Sequence, residues 1–228
     1  MTTTAISRTR RSKPKTTILV VEDHPILRDG LVQVINQQND LEVICCADNA
    51  QVALALVRDK HPQAAIIDIS LKGSNGIELI RDIKSMYDPI PILVLSMHDE
   101  SLFAERAIRA GAKGYIRKSE NTEQILAAIR QVIRGEYYVS SKMVSKVFGS
   151  LFDSRKDKAR SPLEKLSDRE LEVLQLIGEG NNTRRISELL FLSIKTIQTY
   201  QHRIKEKLFI DNATELIQYA TQWVNEDT

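Results

Sequence analysis

Five side chains in this sequence share one placement: each follows a short apolar run. Ala64-Ala65-Ile66-Ile67 ends in Asp68, and Ile18-Leu19-Val20-Val21 ends in Glu22-Asp23. Ile92-Leu93-Val94-Leu95 ends in Ser96, and Gly114-Tyr115-Ile116-Arg117 ends in Lys118. A short continuous apolar run bounded by turn residues reads as a strand buried on both faces. In open parallel sheets the C-terminal mouths of such strands are where chemistry sits. Three carboxylates gathered there repel one another, and a hard divalent cation relieves that repulsion through oxygen ligands. The chemistry expected is Mg²⁺-assisted phosphoryl acceptance. Asp68 is the nucleophile, Asp23 and Asp68 give oxygens to the metal, and Glu22 acts through water. Lys118 neutralises charge on the equatorial oxygens, and Ser96 donates to one of them. Taken singly, an acidic pair reads as a cap, a Ser as a turn and a Lys as surface; all five in order make a rarer coincidence.

The elements that must position these residues alternate. Strands are expected near 18–22, 41–46, 64–68, 91–95 and 113–116, with helices near 25–38, 49–59, 76–86, 99–109 and 122–134. Five such repeats imply a parallel sheet covered on both faces. From residue 163 the pattern is helical only. Ser167-Asp168-Arg169-Glu170 and Asn212-Ala213-Thr214-Glu215 read as capping boxes, Asn182 or Thr183 and Ser193 as further caps. The third of these helices is expected to bury Ile194, Ile197, Ile204 and Leu208. Its opposite side then carries Lys195, Gln198, Thr199 and His202, a donor-rich face suited to base edges in a major groove. Arg184, Arg185, Thr196, Arg203, Lys205 and Lys207 surround it as candidate phosphate contacts.

The 228 residues hold 32 basic and 30 acidic side chains, distributed unevenly. Net charge is +5 over residues 1–17, −4 over 18–137, +4 over 138–162 and −3 over 163–228. The division expected is a disordered basic tail (1–16), a phosphoacceptor domain (17–137), a charged linker (138–162) and a helix-turn-helix domain (163–228). Within the last, residues 194–208 carry four basic side chains against Glu206, so its charge is polarised. The adjacent Cys45 and Cys46 point to opposite faces of a strand and read as small buried hydrophobes, not as a disulfide or metal framework. No apolar run approaches the ~18 residues of a membrane span, and the N-terminus lacks a secretory apolar core, which leaves the cytoplasm as the expected compartment.

Residues 18–135 resemble the receiver domain of a two-component response regulator. The resemblance is carried by Glu22-Asp23, Asp68…Asn75-Gly76, Ser96 with Met97-His98-Asp99-Glu100, and Lys113-Gly114-Tyr115-Ile116-Arg117-Lys118. It implies a flavodoxin-like, doubly wound five-stranded sheet in the order 2-1-3-4-5 and a phosphohistidine donor on a sensor kinase. It also implies that Ser70 gives its backbone carbonyl to the metal and that Ser96 and Tyr115 form a coupled switch. Lys72 stands where the family usually has Pro.

Residues 165–221 resemble the LuxR-type four-helix DNA-binding domain, through Leu166-Ser167-Asp168-Arg169-Glu170…Val173-Leu174, Gly180, Ile186, Leu189, Ser193…Thr196-Ile197 and Lys207-Leu208. The whole chain thus resembles a NarL/FixJ-family regulator. Tyr200, Phe209, Ala213, Thr183 and Arg185 depart from that pattern. The resemblance implies base contacts at Gln198, Thr199 and His202, and a dimer contact on the last helix. The function expected is a transcription regulator, not a turnover enzyme, whose dimerisation and binding to double-stranded promoter DNA follow phosphorylation of Asp68. In the resting form the receiver is expected to cover the recognition helix or the dimer face. Two other classes fit less well. An Asp-nucleophile phosphatase wants a second carboxylate where Ser70 stands, and an adaptor would not use the donor-rich helix face.

Overall fold

The computed structural model describes residues 14–87, 89–97, 100–140 and 162–226. Five parallel strands form the main sheet: β1 (Thr16–Val21), β2 (Leu41–Ala47), β3 (Ala64–Ile67), β6 (Ile92–Ser96) and β7 (Gly114–Arg117). Their order is β2-β1-β3-β6-β7. Setting aside a small hairpin, β4 (Ser70–Leu71) with β5 (Ser74–Asn75), this is the expected order 2-1-3-4-5. Helices α1 (Pro25–Asn36), α2 (Ala50–Lys60), α3 (Gly76–Met86), α4 (Glu100–Arg109) and α5 (Thr122–Ile133) connect the strands.

Alternation along each strand divides the core. Ile18, Val20, Ile66, Leu93, Leu95 and Ile116 face one side, where Leu31 and Ile35 of α1 and Leu126, Ile129 and Val132 of α5 close over them. Leu19, Val21, Ile67, Ile92 and Val94 face the other, against residues of α2, α3 and α4. Each fully buried aliphatic side chain contributes ~1.5–3 kcal/mol of transfer free energy. A sheet so loaded on both sides fixes its register, because a one-residue slip would exchange the two faces. That register brings Val21, Ile67 and Val94 side by side, and therefore aligns the mouths of β1, β3 and β6. Ser96 pairs with Arg117, the residue before Lys118.

After α5 the chain returns to the outer edge of β7. Tyr115 N–H donates to the Tyr138 carbonyl at 2.8 Å and Tyr138 N–H to the Lys113 carbonyl at 2.9 Å. This pairing shields an edge strand. Tyr138 thus lies against the edge of the receiver sheet. The cysteines differ from expectation: Cys45 is half-buried and Cys46 exposed, because β2 is itself an edge strand.

A 3₁₀ turn (Pro162–Lys165) leads into α6 (Asp168–Gly178), α7 (Thr183–Leu189), α8 (Ile194–Leu208) and α9 (Ala213–Glu226). Ser167 and Glu170 form the expected capping box, and Asn182 and Ser193 cap α7 and α8. The box at 212–215 is only half present. The Asn212 carboxamide accepts from Glu215 N–H, but the Glu215 carboxylate accepts from Asp211 N–H, one residue early. Ile197 and Ile204 are buried and Leu208 half-buried. Ile194 is 47% exposed, contrary to expectation; as the first residue of α8 it lies before the turn that meets the core. Gly178 lets α6 and α9 meet closely, since a Cβ there would lie 2.4 Å from the Ala220 carbonyl oxygen. Most of the linker and nearly all of the N-terminal tail lie outside the described residues.

Candidate functional site

Glu22, Asp68 and Lys118 meet in one hollow at the strand mouths, and Ser96 ends the adjoining strand β6. Glu22 is 1% exposed and Asp68 2%. The Lys118 ammonium lies 2.7 Å from Asp68 Oδ2 and 2.8 Å from Glu22 Oε2, so one cation bridges two carboxylates from different strands. Backbone pairing sets these side chains in place: Asp68 N–H donates to the Val21 carbonyl at 3.0 Å and Lys118 N–H to the Ser96 carbonyl at 2.8 Å. Ser96 and Tyr115 are both buried, on the neighbouring strands β6 and β7.

The segment after Asp68, which its Ser, Asn and Gly content marks as a loop, folds as the hairpin β4–β5, turned at Gly73 with φ +70°. Gly76 N–H donates to the Ile69 carbonyl at 2.7 Å. A Cβ at Gly76 would lie 2.0 Å from the Asp68 carbonyl oxygen, so only glycine lets α3 begin this close to Asp68. The Asn75 carboxamide caps α3 by accepting from Ile77 N–H at 2.9 Å.

Burial dominates the electrostatics. It pushes the Asp68 carboxyl up to about 7, with Glu22 and Asp23 adding to the effect and Lys118 opposing it. Asp23 is raised by burial and by Glu22, against His24 and Lys118. For Lys118 burial works against the charge, yet Asp68 and Glu22 hold its pKa above the usual lysine value. The site is therefore a protonated lysine among crowded carboxylates, with anionic charge only partly neutralised.

Those residues fit a hard cation. Glu22, Asp23, His24 and Asp68 each offer a ligand atom, all within 4.8 Å of one another. Asp23 Oδ1 is buried and makes no hydrogen bond, although His24 Nδ1 lies 2.9 Å away. A buried, unsatisfied carboxylate oxygen facing two further acids is what an ion with oxygen ligands would complete. His24 escapes a reading of the sequence; its position directly after the acidic pair is the one available signal. Ser70, expected to give its carbonyl to the metal, lies in β4, and its hydroxyl is turned to the helical domain.

On that domain the α8 face lies open. Lys195, Gln198, Thr199, His202 and Arg203 are exposed, and Thr196 and Lys205 half-buried. Several of these side chains have local partners: Thr199 Oγ1 with the Lys195 carbonyl at 2.9 Å, Thr196 Oγ1 with Ser193 Oγ at 2.8 Å, and His202 with Glu206 at 3.4 Å. Arg184 and Arg185 lie 3.5 and 3.4 Å from Glu188. Lys207 differs from the rest, since its ammonium is drawn 2.6 Å from Glu170, away from the expected phosphate-contact role. Burial opposes ionisation of Glu170, but Lys207 and Ser167 hold its carboxyl below the usual range.

Among the described residues the receiver does not cover the exposed α8 face. The two domains meet instead through the start of α6 and the turn before it. Arg106 of α4 donates to the Leu163 and Leu166 carbonyls, both at 2.8 Å, and to Asp168 at 2.9 Å. Arg81 of α3 lies 2.8 Å from the other Asp168 oxygen. Lys72 places its ammonium 4.4 Å from the centre of the Phe191 ring, which gives this departure from the family pattern a contact.

A phosphoacceptor-type pocket on a five-stranded parallel sheet, joined to a helix-turn-helix domain, defines a response regulator. Comparison with known proteins agrees. Residues 18–130 match the response regulator receiver domain, and residues 164–220 the bacterial regulatory proteins of the luxR family. The chain is 35% identical over 207 residues to the oxygen regulatory protein NreC of Staphylococcus aureus, covering 89% of this chain and 95% of that one. A LuxR-family two-component response regulator from Aurantimonas sp. SI85-9A1 superposes with a TM-score of 0.56 at 31% identity, over 60% of this chain and 99% of that one. RcsB of Salmonella enterica serovar Typhimurium, bound to promoter P1flhDC with the phosphomimetic BeF₃⁻, shares the fold. Its TM-score is 0.61 at 23% identity, over 92% of this chain and 100% of that one. The chain belongs to the LuxR-type two-component response regulators, transcription regulators built from a receiver and a DNA-binding domain. Among the described residues no helix is long and apolar enough to cross a membrane.

Proposed function

We propose that Asp68 accepts a phosphoryl group from a phosphohistidine on a sensor histidine kinase. Its carboxylate oxygen would form the new bond to phosphorus while the phosphorus–nitrogen bond breaks and the imidazole leaves. The observation that carries this reading is the single Lys118 ammonium bridging Asp68 and Glu22 inside a buried hollow. Such a cation is already placed to neutralise charge on phosphoryl oxygens without reorganising. Ser96, at the next strand mouth, donates its hydroxyl to one of those oxygens, and Tyr115 on the adjoining strand packs against the rearranged segment. Glu22, Asp23 and Asp68, with the Ser70 carbonyl, would hold Mg²⁺; when bound, it supplies a second positive charge to the phosphoryl oxygens.

The output is promoter binding by α8. Gln198, Thr199 and His202, with Lys195, face the base edges, and Arg184, Arg185, Thr196 and Arg203 approach the phosphates. A homodimer on paired half-sites would supply the affinity that one small module lacks. The solved complex of RcsB with promoter DNA and BeF₃⁻ supports this reading by likeness of fold.

Genomic-fragment mobility shifts and sedimentation, with and without Mg²⁺ and beryllofluoride, test both halves. Wild type should bind selected fragments more tightly and associate on treatment, and Asp68→Asn should do neither. Equal responses by the two proteins would overturn the assignment of Asp68. Absence of any selective fragment in either state would favour an adaptor that never touches DNA.

A further inference from the structure

Glu172, from the second turn of α6, is fully buried at the junction of the domains. Its Oε1 accepts from Ser70 Oγ at 2.5 Å, and its Oε2 from Asn75 Nδ2 at 3.3 Å and Arg169 Nη1 at 2.6 Å. Arg169 Nη1 also reaches the Ser74 carbonyl at 3.3 Å, and its Nη2 the Leu190 carbonyl at 3.2 Å. A carboxylate and a guanidinium of the output domain therefore grip both strands of the hairpin that links Asp68 to α3. One gripped residue, Ser70, is two positions from the phosphoacceptor. Another, Asn75, is the cap of α3, and that helix begins against the Asp68 carbonyl.

We infer that Glu172 is a positioning residue of the phosphoacceptor pocket, supplied in cis by the DNA-binding domain. It sets how readily the pocket takes up a metal ion and a phosphoryl group. The inference rests on the function proposed above for Asp68 and adds a controlling residue outside the receiver. Two physical effects give its direction. A buried carboxylate bonded to the residue two positions along the chain adds like charge beside a pocket that must accept a multiply anionic group. In a poorly polarisable interior that repulsion is only partly offset by Arg169. The grip also fixes the hairpin in its present form, so any movement of Ser70 or Asn75 toward an incoming ligand must break bonds to Glu172. Both effects make the docked output domain lower the pocket's affinity. Coupling of this kind is reciprocal: whatever docking takes from the pocket, pocket occupancy takes from docking.

The test measures the equilibrium affinity of the full-length chain for beryllofluoride in the presence of Mg²⁺, by calorimetry. The proteins are wild type, Glu172→Ala, Ser70→Ala and the double variant, with circular dichroism and melting as controls of folding. Each single variant should bind more tightly, by roughly fivefold to a hundredfold, the usual span of allosteric coupling. The double variant should gain no more than the better single one, because both remove the same contact. Ser70→Ala leaves the output domain untouched, so it reports even where Glu172→Ala fails to fold. Unchanged or weaker binding by Ser70→Ala, or full additivity in the double variant, would overturn the inference while leaving the phosphoacceptor assignment intact. A wild-type protein that binds no beryllofluoride would remove both.

Discussion

Asp68 carries a measurable consequence of its burial. A carboxyl whose folded pKa is raised to about 7, from an ordinary 3.8, binds a proton more tightly in the native state than in the unfolded one. Its contribution to stability is complete below about pH 4 and is lost as pH rises toward 7. A rise of that size sets a ceiling of about 4 kcal/mol on the loss. Urea denaturation of metal-free protein at pH 5 and pH 8 should show wild type losing more stability over this interval than Asp68→Asn, with saturating Mg²⁺ narrowing the difference. Equal pH slopes would mean that the carboxylate is solvated after all. Phe209 offers a second residue-level test. It ends α8 in the left-handed region at φ +58° and is 84% exposed. That conformation costs a non-glycine residue ~1–2 kcal/mol, and glycine's greater freedom when unfolded returns ~0.5–1. The Lys165 ammonium over the ring, 5.3 Å from its centre, offsets a little more. Phe209→Gly should therefore be neutral to about 1 kcal/mol more stable. A clear loss of stability would show that the ring packs in a way its exposure conceals.

At the level of elements, the α6–α9 seam depends on Gly178. A Cβ at that position would meet the Ala220 carbonyl oxygen and the Val224 side chain, at 2.4 and 2.5 Å. Backbone on one side leaves little room to yield, so Gly178→Ala should destabilise the output domain by ~1–3 kcal/mol, seen as a lower melting temperature with receiver folding unaffected. The elements themselves were legible because burial on two faces writes continuous apolar runs, and a cap writes its own residue types. What escaped was local or shared between distant segments. Strands β4 and β5 have two residues each, too short for a period. Ile194 fits the apolar spacing of α8, but its place in the first turn leaves it outside the contact. Asp211 N–H displaced that of Asn212 as donor to the Glu215 side chain because a flexible carboxylate reaches either one. The pocket was legible because its residues end strands; His24 was not, because only the folded turn swings its ring over Glu22 and Asp23.

Across the whole molecule, charge in α6, part of it read from the sequence as a helix cap, proves to be interdomain contact. Asp168, Arg169 and Glu172 are all buried, and no periodicity announces a partner in a distant segment of the chain. Arg106 gathers two carbonyls and Asp168 with its side chain 14% exposed. Arg106→Ala should strip these three bonds from the junction and leave Asp168, among the described residues, with Arg81. Small-angle scattering should then give a larger radius of gyration for the unphosphorylated protein, while a receiver-only signal such as Mg²⁺ uptake persists. An unchanged radius would mean that apolar packing holds the domains without this arginine.

The uncovered side of α8 has a consequence for how such a regulator is turned on. With the domains docked in this way the reading head looks outward, so docking does not act on it as a shutter. What remains adjustable is the alignment of one copy with another, as two keys on a rigid ring fit a double lock only at one spacing. With the domains so docked, the protein should touch single half-sites with nearly full strength and fail only where two must be engaged together.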